Sequence, residues 1–81
     1  MRLDKYLKVT RLVKRRTVAN EACDAGRVSV NGKAARASYA VKEGDVIEIG
    51  MGSRPIKIKV LQVKEQVSKE AAVGLYEVVQ E

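Results

Sequence analysis

The hydrophobic positions along the chain change their spacing at Gly26. Before it, apolar residues recur every three or four positions, as they do on the buried side of an amphipathic helix. After it they alternate with polar residues, which is typical of half-buried strands. The pattern therefore predicts an α+β fold whose helices lie at the N-terminus.

Two short helices are predicted in the first part of the chain. The first covers residues 3–13. The second begins at Thr17, whose hydroxyl is expected to cap it, with Asn20 at the N3 position, and it stops at Gly26 in a left-handed conformation. Four residues of the second helix are expected to face inward: Val18, Ala19, Ala22 and Cys23.

The alternating segments predict a small, mainly antiparallel sheet. A strand at residues 28–30 is followed by Asn31 and Gly32, the pair preferred in type I′ hairpin turns, and the chain returns over residues 33–36. Further strands are predicted at 46–49, 56–63 and 76–79, with turns at 43–45 and 50–53 and a polar loop or short helical turn over 64–74.

The length of 81 residues suits one domain with one modest core. We expect a single domain over residues 1–81, with a helical half at about 1–36 and a sheet-rich half at about 37–81. Neither a membrane span nor a signal peptide is expected, because the longest apolar runs are only a few residues, so we predict a cytoplasmic protein without membrane contact. The lone Cys23 cannot form an internal disulfide, which agrees with a reducing compartment.

The charge is strongly segregated along the chain. Residues 1–36 carry ten basic and three acidic side chains, whereas residues 37–81 carry six and seven. Such a field favours polyanions, so nucleic acid is the expected partner. We expect Lys5, Lys8 and Arg11 to lie along one side of the first helix, and Lys57 and Lys59 to form a solvated face. The candidate RNA-binding residues are Arg2, Lys5, Lys8, Arg11, Lys14, Arg15 and Arg16.

The remaining composition argues against catalysis. The chain has no histidine and one cysteine, so we expect no metal site, no cofactor and no catalytic residue. With three tyrosines as the only aromatic residues, recognition of the phosphate backbone and of shape fits better than base stacking. Tyr39 is the one ring for which a contact role stays open, whereas Tyr6 and Tyr76 are expected in the core.

Residues 2–32, RLDKYLKVTRLVKRRTVANEACDAGRVSVNG, resemble the S4 RNA-binding domain. The matching features are the R-L-D start, an arginine that opens the second helix, and the G-x-V-x-V-N-G strand and turn, all in the family's order. The resemblance implies an S4-like (αL motif) fold, with two short N-terminal helices packed on a small, strongly twisted sheet. It also implies that six basic residues face RNA: Arg2, Lys5, Arg11, Lys14, Arg15 and Arg16.

Within this family the whole chain resembles the small stand-alone S4 proteins of ribosome-associated quality control in Gram-positive bacteria. That resemblance implies binding to large ribosomal subunits obstructed by peptidyl-tRNA, with contacts to 23S rRNA and to the tRNA. It further implies support of an RqcH-like elongation partner that adds alanine to the stalled nascent chain. We expect the protein to act as a monomer.

Three other interpretations stay open. A heat-shock S4 protein that recycles large subunits also binds tRNA there, although it normally carries a long basic C-terminal extension. An accessory RNA-binding domain of a pseudouridine synthase or a tRNA ligase would belong to an enzyme. A DNA-binding or protein-interaction module is the third, since charge alone does not separate RNA from DNA.

Overall fold

The computed structural model describes residues 1–50 and 55–79. Its sheet has the strand order β2-β1-β3-β4-β5, and every neighbouring pair of strands is antiparallel. The predicted turn at 50–53 lies, from residue 51 onward, outside the described residues. The elements are α1 Leu3–Val9, α2 Arg16–Asp24, β1 Val28–Val30, β2 Lys33–Ala34, β3 Val46–Ile49, β4 Ile56–Val60, α3 Lys69–Ala72, a 3₁₀ turn Val73–Leu75 and β5 Tyr76–Val78.

One face of the sheet forms the core together with α1 and α2. Val30, Ile47 and Ile58 are opposite one another on consecutive strands, and all three are buried. Because paired residues of antiparallel strands point to the same face, this row forms the floor on which the helices pack. The helices contribute six buried apolar residues: Leu3, Tyr6, Leu7, Ala19, Ala22 and Cys23.

Helix α1 is shorter than the sequence predicts, and ends at Val9 rather than at residue 13. The hydroxyl and the backbone amide of Thr10 both donate to the Tyr6 carbonyl, over 2.8 and 3.0 Å, at the end of the helix. Arg11 then adopts a φ of 62°, in the left-handed region that ends a helix. The turn brings Val13 into the core, where it is 5 % exposed.

Helix α2 begins one residue earlier than predicted, at Arg16. Arg15 occupies the N-cap position and no side chain caps the helix, so the prediction that Thr17 is the cap was wrong. Asn20 accordingly lies beyond the N3 position. At the other end the prediction is confirmed: Gly26 has a φ of 74°, and its amide donates to the Cys23 carbonyl over 3.0 Å.

The hairpin after α2 has the predicted turn. Asn31 and Gly32 have φ values of 53° and 86°, as a type I′ turn requires. The returning strand is shorter than expected and ends at Ala34. Strand β4 likewise ends at Val60 instead of residue 63. The alternation of apolar and polar residues is lost directly after Val60, at Leu61.

Two apolar residues of these elements are exposed. Val18 on α2 is 36 % exposed, so the prediction that it faces inward was wrong, and Ile56 at the start of β4 is 41 % exposed. Ile56 is opposite the buried Ile49, so it lies on the core face of the sheet, at the first position of β4. In the part of the chain that the structure describes, no helix is long and apolar enough to cross a membrane.

Candidate nucleic-acid interface

The segment before β3 fixes the N-terminus of α1. The amides of Leu3 and Asp4 donate to the carbonyls of Tyr39 and Ala37, over 2.8 and 3.2 Å. Arg2 forms an isolated antiparallel bridge with Ala40. These bonds satisfy donors that the first turn of a helix leaves free, and they hold Arg2 at the junction of α1 with this segment.

The seven candidate RNA-binding residues form what we call the basic surface. Asp4, an acid, lies within it between Arg2 and Arg16. Its carboxylate is buried, with 3 % of the side chain exposed. Nε of Arg2 lies 3.2 Å from Oδ1, and Nε of Arg16 lies 3.3 Å from Oδ2. The side-chain amide of Asn20 donates to Oδ2 over 3.3 Å, and the backbone amide of Lys5 donates to Oδ1 over 2.8 Å. One carboxylate therefore connects both helices and orients two guanidinium groups.

These contacts keep Asp4 ionised. Burial alone raises the pKa of a carboxyl group, because the charged form loses hydration. Here that effect is outweighed by hydrogen bonds from Asn20, Arg2, Arg16 and the Lys5 amide, so the pKa of Asp4 lies below its usual value of 3.8. The carboxylate is thus charged at neutral pH and attracts both arginines.

Arg16 remains available to a ligand while it is held by Asp4. Its ion pair uses Nε, and 47 % of the side chain is exposed. The terminal nitrogens of a guanidinium suit two oxygens of one phosphate, which a lysine ammonium cannot match. The other arginine on the carboxylate, Arg2, is 50 % exposed.

The start of α2 adds free backbone donors beside Arg16. Arg15 has an extended backbone, with φ −125° and ψ 136°, which is the usual geometry of an N-cap residue. Its long side chain does not cap the helix, so the first amides of α2 have no side-chain acceptor. Such amides, together with the positive end of the helix dipole, favour anions.

The other candidate residues have different surroundings. Lys8 is exposed on α1, and Lys14 is exposed in the connection to α2. Arg11 is exposed but lies beyond the end of α1, so the prediction of a row of three basic residues along that helix was wrong for Arg11. Lys5 makes an ion pair of 3.6 Å with Glu65, whose side chain is 73 % exposed. A pair this exposed contributes little to stability and leaves Lys5 able to exchange partners.

The sequence reasoning missed the role of Asp4 and Asn20. It gave Asp4 no contact with any arginine and placed Asn20 only at the N3 position of the second helix. One signal was present, because Asp4 is the sole acid among seven basic residues and sits three positions before the core residue Leu7. That spacing places a carboxylate at the edge of the buried side of α1.

Within residues 1–50 and 55–79, no group of three or more acidic, histidine or cysteine side chains could hold a metal ion. Cys23 is buried on α2, as predicted. Burial, with the nearby charges of Asp4 and Asp24, raises the pKa of its thiol. A protonated, buried thiol is a poor nucleophile, so the residue contributes packing.

The chain is similar to known proteins over its whole length. The sequence model described as the S4 domain matches residues 1–47. A protein of Halalkalibacterium halodurans described as RQC P-site tRNA stabilizing factor is 53 % identical over 81 residues, which is 100 % of this chain and 92 % of that protein.

Two solved structures have the same fold. Heat shock protein 15 of Vibrio cholerae, solved as a trimer, superposes with a TM-score of 0.91 at 30 % identity, over 98 % of this chain and 81 % of that one. The solution structure of the hypothetical protein HP1423 superposes with a TM-score of 0.85 at 32 % identity, over 100 % and 99 % of the two chains.

Proposed function

The chain belongs to the S4 domain family, and on that basis we propose that it is an RNA-binding protein of the large ribosomal subunit that acts without catalysis. Its task is to hold a tRNA in place on a subunit that still carries a nascent chain. The proposal draws on the name of the relative from Halalkalibacterium halodurans, which describes a factor that stabilises tRNA in the P site.

The observation that carries the proposal is the joint position of Arg2 and Arg16 on the buried carboxylate of Asp4. Two half-exposed guanidinium groups with a common anchor are pre-organised, so little side-chain freedom is lost when they bind phosphate. Lys14 and Arg15 add exposed positive charge immediately before the uncapped start of α2. This arrangement suits the phosphate backbone of a structured RNA.

Phosphate contacts fix the register of a protein on RNA without reading its sequence. That property fits a factor whose ligand is defined by position on the ribosome and not by a base sequence. The RNA-facing set we propose is the one predicted from the sequence: Arg2, Lys5, Lys8, Arg11, Lys14, Arg15 and Arg16. Within it we assign the largest contribution to Arg16, since its side chain and the free amides of α2 act together.

In the cell, this positioning role serves a larger elongation partner. We propose that contacts to 23S rRNA and to the peptidyl-tRNA keep the tRNA against the large subunit while an RqcH-like protein adds alanine residues. We propose that the chain acts as a monomer, since Arg2 and Arg16 are anchored on Asp4 within one copy. We also propose that it acts in the cytoplasm.

Sedimentation with purified large subunits tests the tRNA part of this role. We expect the chain to co-sediment with subunits that carry peptidyl-tRNA, and to bind subunits without tRNA more weakly. Deleting its gene should reduce alanine tailing of stalled chains. Equal binding to both kinds of subunit would contradict a function that depends on the tRNA.

A second candidate is recycling of large subunits after heat shock, and the TM-score of 0.91 with heat shock protein 15 favours it. This function also predicts binding to subunits with tRNA. It differs in the cellular result, because loss of the gene would then leave alanine tailing unchanged and would cause blocked subunits to accumulate after a temperature shift.

A further inference from the structure

The basic surface does not stop at Arg2. A hollow beside α2 is lined on one side by Arg2, Asn20 and the acidic Asp24 and on the other by Arg36 and Ser38. Arg36 and Ser38 also line a second groove, which lies next to the hairpin of β1 and β2. The basic surface around Asp4 therefore continues, by way of Arg2 and Arg36, into a groove that contains none of the seven candidate RNA-binding residues predicted from the sequence.

This groove has a volume of about 550 Å³, within the range of sites that accept small organic groups. Ala34, Ala35 and the half-buried ring of Tyr39 give it an apolar lining. Lys33 and Arg36 stand at its border, both exposed. The groove contains no acidic side chain among the described residues that line it, so its charge suits an anion with an apolar part.

The walls of the groove are held rigidly by one buried carboxylate. Asp45 accepts a hydrogen bond of 3.1 Å from the side-chain amide of Asn31 and one of 2.9 Å from the Tyr39 hydroxyl. The oxygen of the Asn31 side chain in turn accepts from the Val46 amide over 3.0 Å. The hairpin turn and the tyrosine ring are thus fixed relative to each other before any ligand arrives, which lowers the ordering cost of binding.

We propose that this groove binds one unpaired nucleotide of the RNA, with the base against Tyr39 and the alanines and the phosphate beside Lys33 and Arg36. The proposal rests on the RNA-binding function proposed above and deepens it. A nucleotide fits because it combines a flat apolar ring with an anionic group, and because the groove continues the surface already assigned to RNA. The protein would then recognise a bulge or loop in addition to phosphate backbone.

Two RNA hairpins test the proposal. One contains a single bulged 2-aminopurine nucleotide, and the other has the same stem fully paired. We expect wild-type protein to prefer the bulged hairpin by about tenfold, the order of magnitude of one base packed on a protein surface. On binding, the fluorescence of the 2-aminopurine should change, and the backbone amide signals of residues 33–39 should shift in NMR spectra.

Variants separate this site from the rest of the surface. Arg36→Ala should remove most of the preference for the bulged hairpin and weaken binding to the paired stem much less. Arg16→Ala should weaken binding to both hairpins by a similar factor. Lys59→Ala is the matched control, since Lys59 is exposed on β4 next to inward-facing Ile58 and so lies on the opposite face of the sheet, and it should change neither affinity.

Equal affinity of wild-type protein for the two hairpins would overturn the nucleotide site and leave the RNA-binding function intact. Failure of both hairpins to bind would instead overturn the proposed function. If the amide signals of residues 33–39 shift with protein concentration and not with RNA, the groove is a contact between copies of the chain, which also overturns the proposal.

Discussion

Nε of Arg16 lies 3.3 Å from Oδ2 of Asp4, so the first turn of α2 is tied to the first turn of α1 through a carboxylate that is almost fully buried. Arg2 reaches the same carboxylate from the start of the chain, over 3.2 Å. The single acid in the basic segment thus determines where two of its arginines stand. The Asp4 carboxylate should therefore strengthen RNA binding by positioning the arginines, although its negative charge alone would weaken it.

Asp4→Asn tests this positioning role directly. The substitution raises the net charge of the chain by one unit, so attraction to RNA alone would tighten binding. We expect weaker binding, because the two guanidinium groups lose their charged anchor. The free energy of unfolding should fall by about 1–3 kcal/mol, as expected for lost hydrogen bonds to a charged group. Fluorescence anisotropy with a tRNA and urea denaturation would measure the two effects.

Asp24→Asn is the matched control for that experiment. Asp24 is exposed at the end of α2 and lines the same hollow as Arg2 and Arg36, but neither Arg2 nor Arg16 is ion-paired with it. Its substitution adds the same unit of charge, and it should leave RNA binding unchanged or make it slightly tighter. If Asp4→Asn behaved like Asp24→Asn, Asp4 would have no positioning role.

Arg15→Ser separates stability from binding at the start of α2. A serine at the N-cap position can accept a hydrogen bond from the first amides of the helix, which Arg15 does not do. We expect a gain of about 0.5–1 kcal/mol in unfolding free energy and a loss of RNA affinity. Thermal unfolding and anisotropy would show the two opposite changes. Tighter binding by the more stable variant would contradict the assignment of Arg15 to the RNA surface.

Thr17→Ala provides the comparison for that position. Because Thr17 is exposed within α2 and does not cap it, its truncation should change the free energy of unfolding by no more than about 0.5 kcal/mol. A loss of 1 kcal/mol or more, as an N-cap would show, would place the start of α2 at Thr17 after all.

Asp45 should make the stability of the protein depend on acid pH. Burial raises the pKa of its carboxyl group. Hydrogen bonds from the backbone amide of Lys42, the hydroxyl of Tyr39 and the side-chain amide of Asn31 outweigh burial, so the pKa is lowered. A group with a lowered folded-state pKa stabilises the fold above its unfolded pKa and loses that contribution as the pH falls through the folded value. The contribution is therefore complete above about pH 5 and declines below the usual value of 3.8.

Urea midpoints measured between about pH 7 and pH 2.5 would check this dependence. Wild-type protein should lose stability steeply below about pH 4. Asp45→Asn should be less stable at neutral pH and should show a shallower decline, because one of the carboxylates responsible is absent. Parallel curves for the two proteins would contradict the assignment.

Salt dependence would count the phosphate contacts. With about five contacts, the logarithm of affinity should fall with the logarithm of salt concentration at a slope of roughly −3.5 to −4.5. Lys14→Ala should make the slope shallower by about 0.7–0.9. Lys59→Ala should leave it unchanged. Equal changes from both substitutions would show that binding is diffuse over the surface.

The parts of the fold set by local signals could be predicted from the sequence. The α+β class is confirmed because the spacing of apolar residues changes from helical to alternating at Gly26. The Asn31-Gly32 hairpin turn and the left-handed stop at Gly26 are confirmed because each depends on the backbone preferences of one or two residues. The resemblance to the S4 domain is confirmed by the family match over residues 1–47 and by the superposed structures.

The features that the sequence did not predict depend on contacts between distant residues. Helical spacing continues past Val9, but burial of Val13 in the core requires the left-handed turn at Arg11. The ion pair of Asp4 with Arg16 spans twelve positions, and it forms only because α1 and α2 pack side by side. A pattern read along the chain identifies the basic residues but not which of them share an anchor.

The most direct test of the central claim is co-sedimentation of Arg16→Glu with large subunits that carry peptidyl-tRNA. Lys59→Glu is the charge-matched control on the other face of the sheet, and both variants should first be shown to be folded by circular dichroism. We predict that Arg16→Glu stays in the unbound fraction, that Arg16→Lys binds at an intermediate level, and that Lys59→Glu sediments like the wild type. Wild-type sedimentation of folded Arg16→Glu would contradict the claim that Arg16 and the start of α2 bind the RNA.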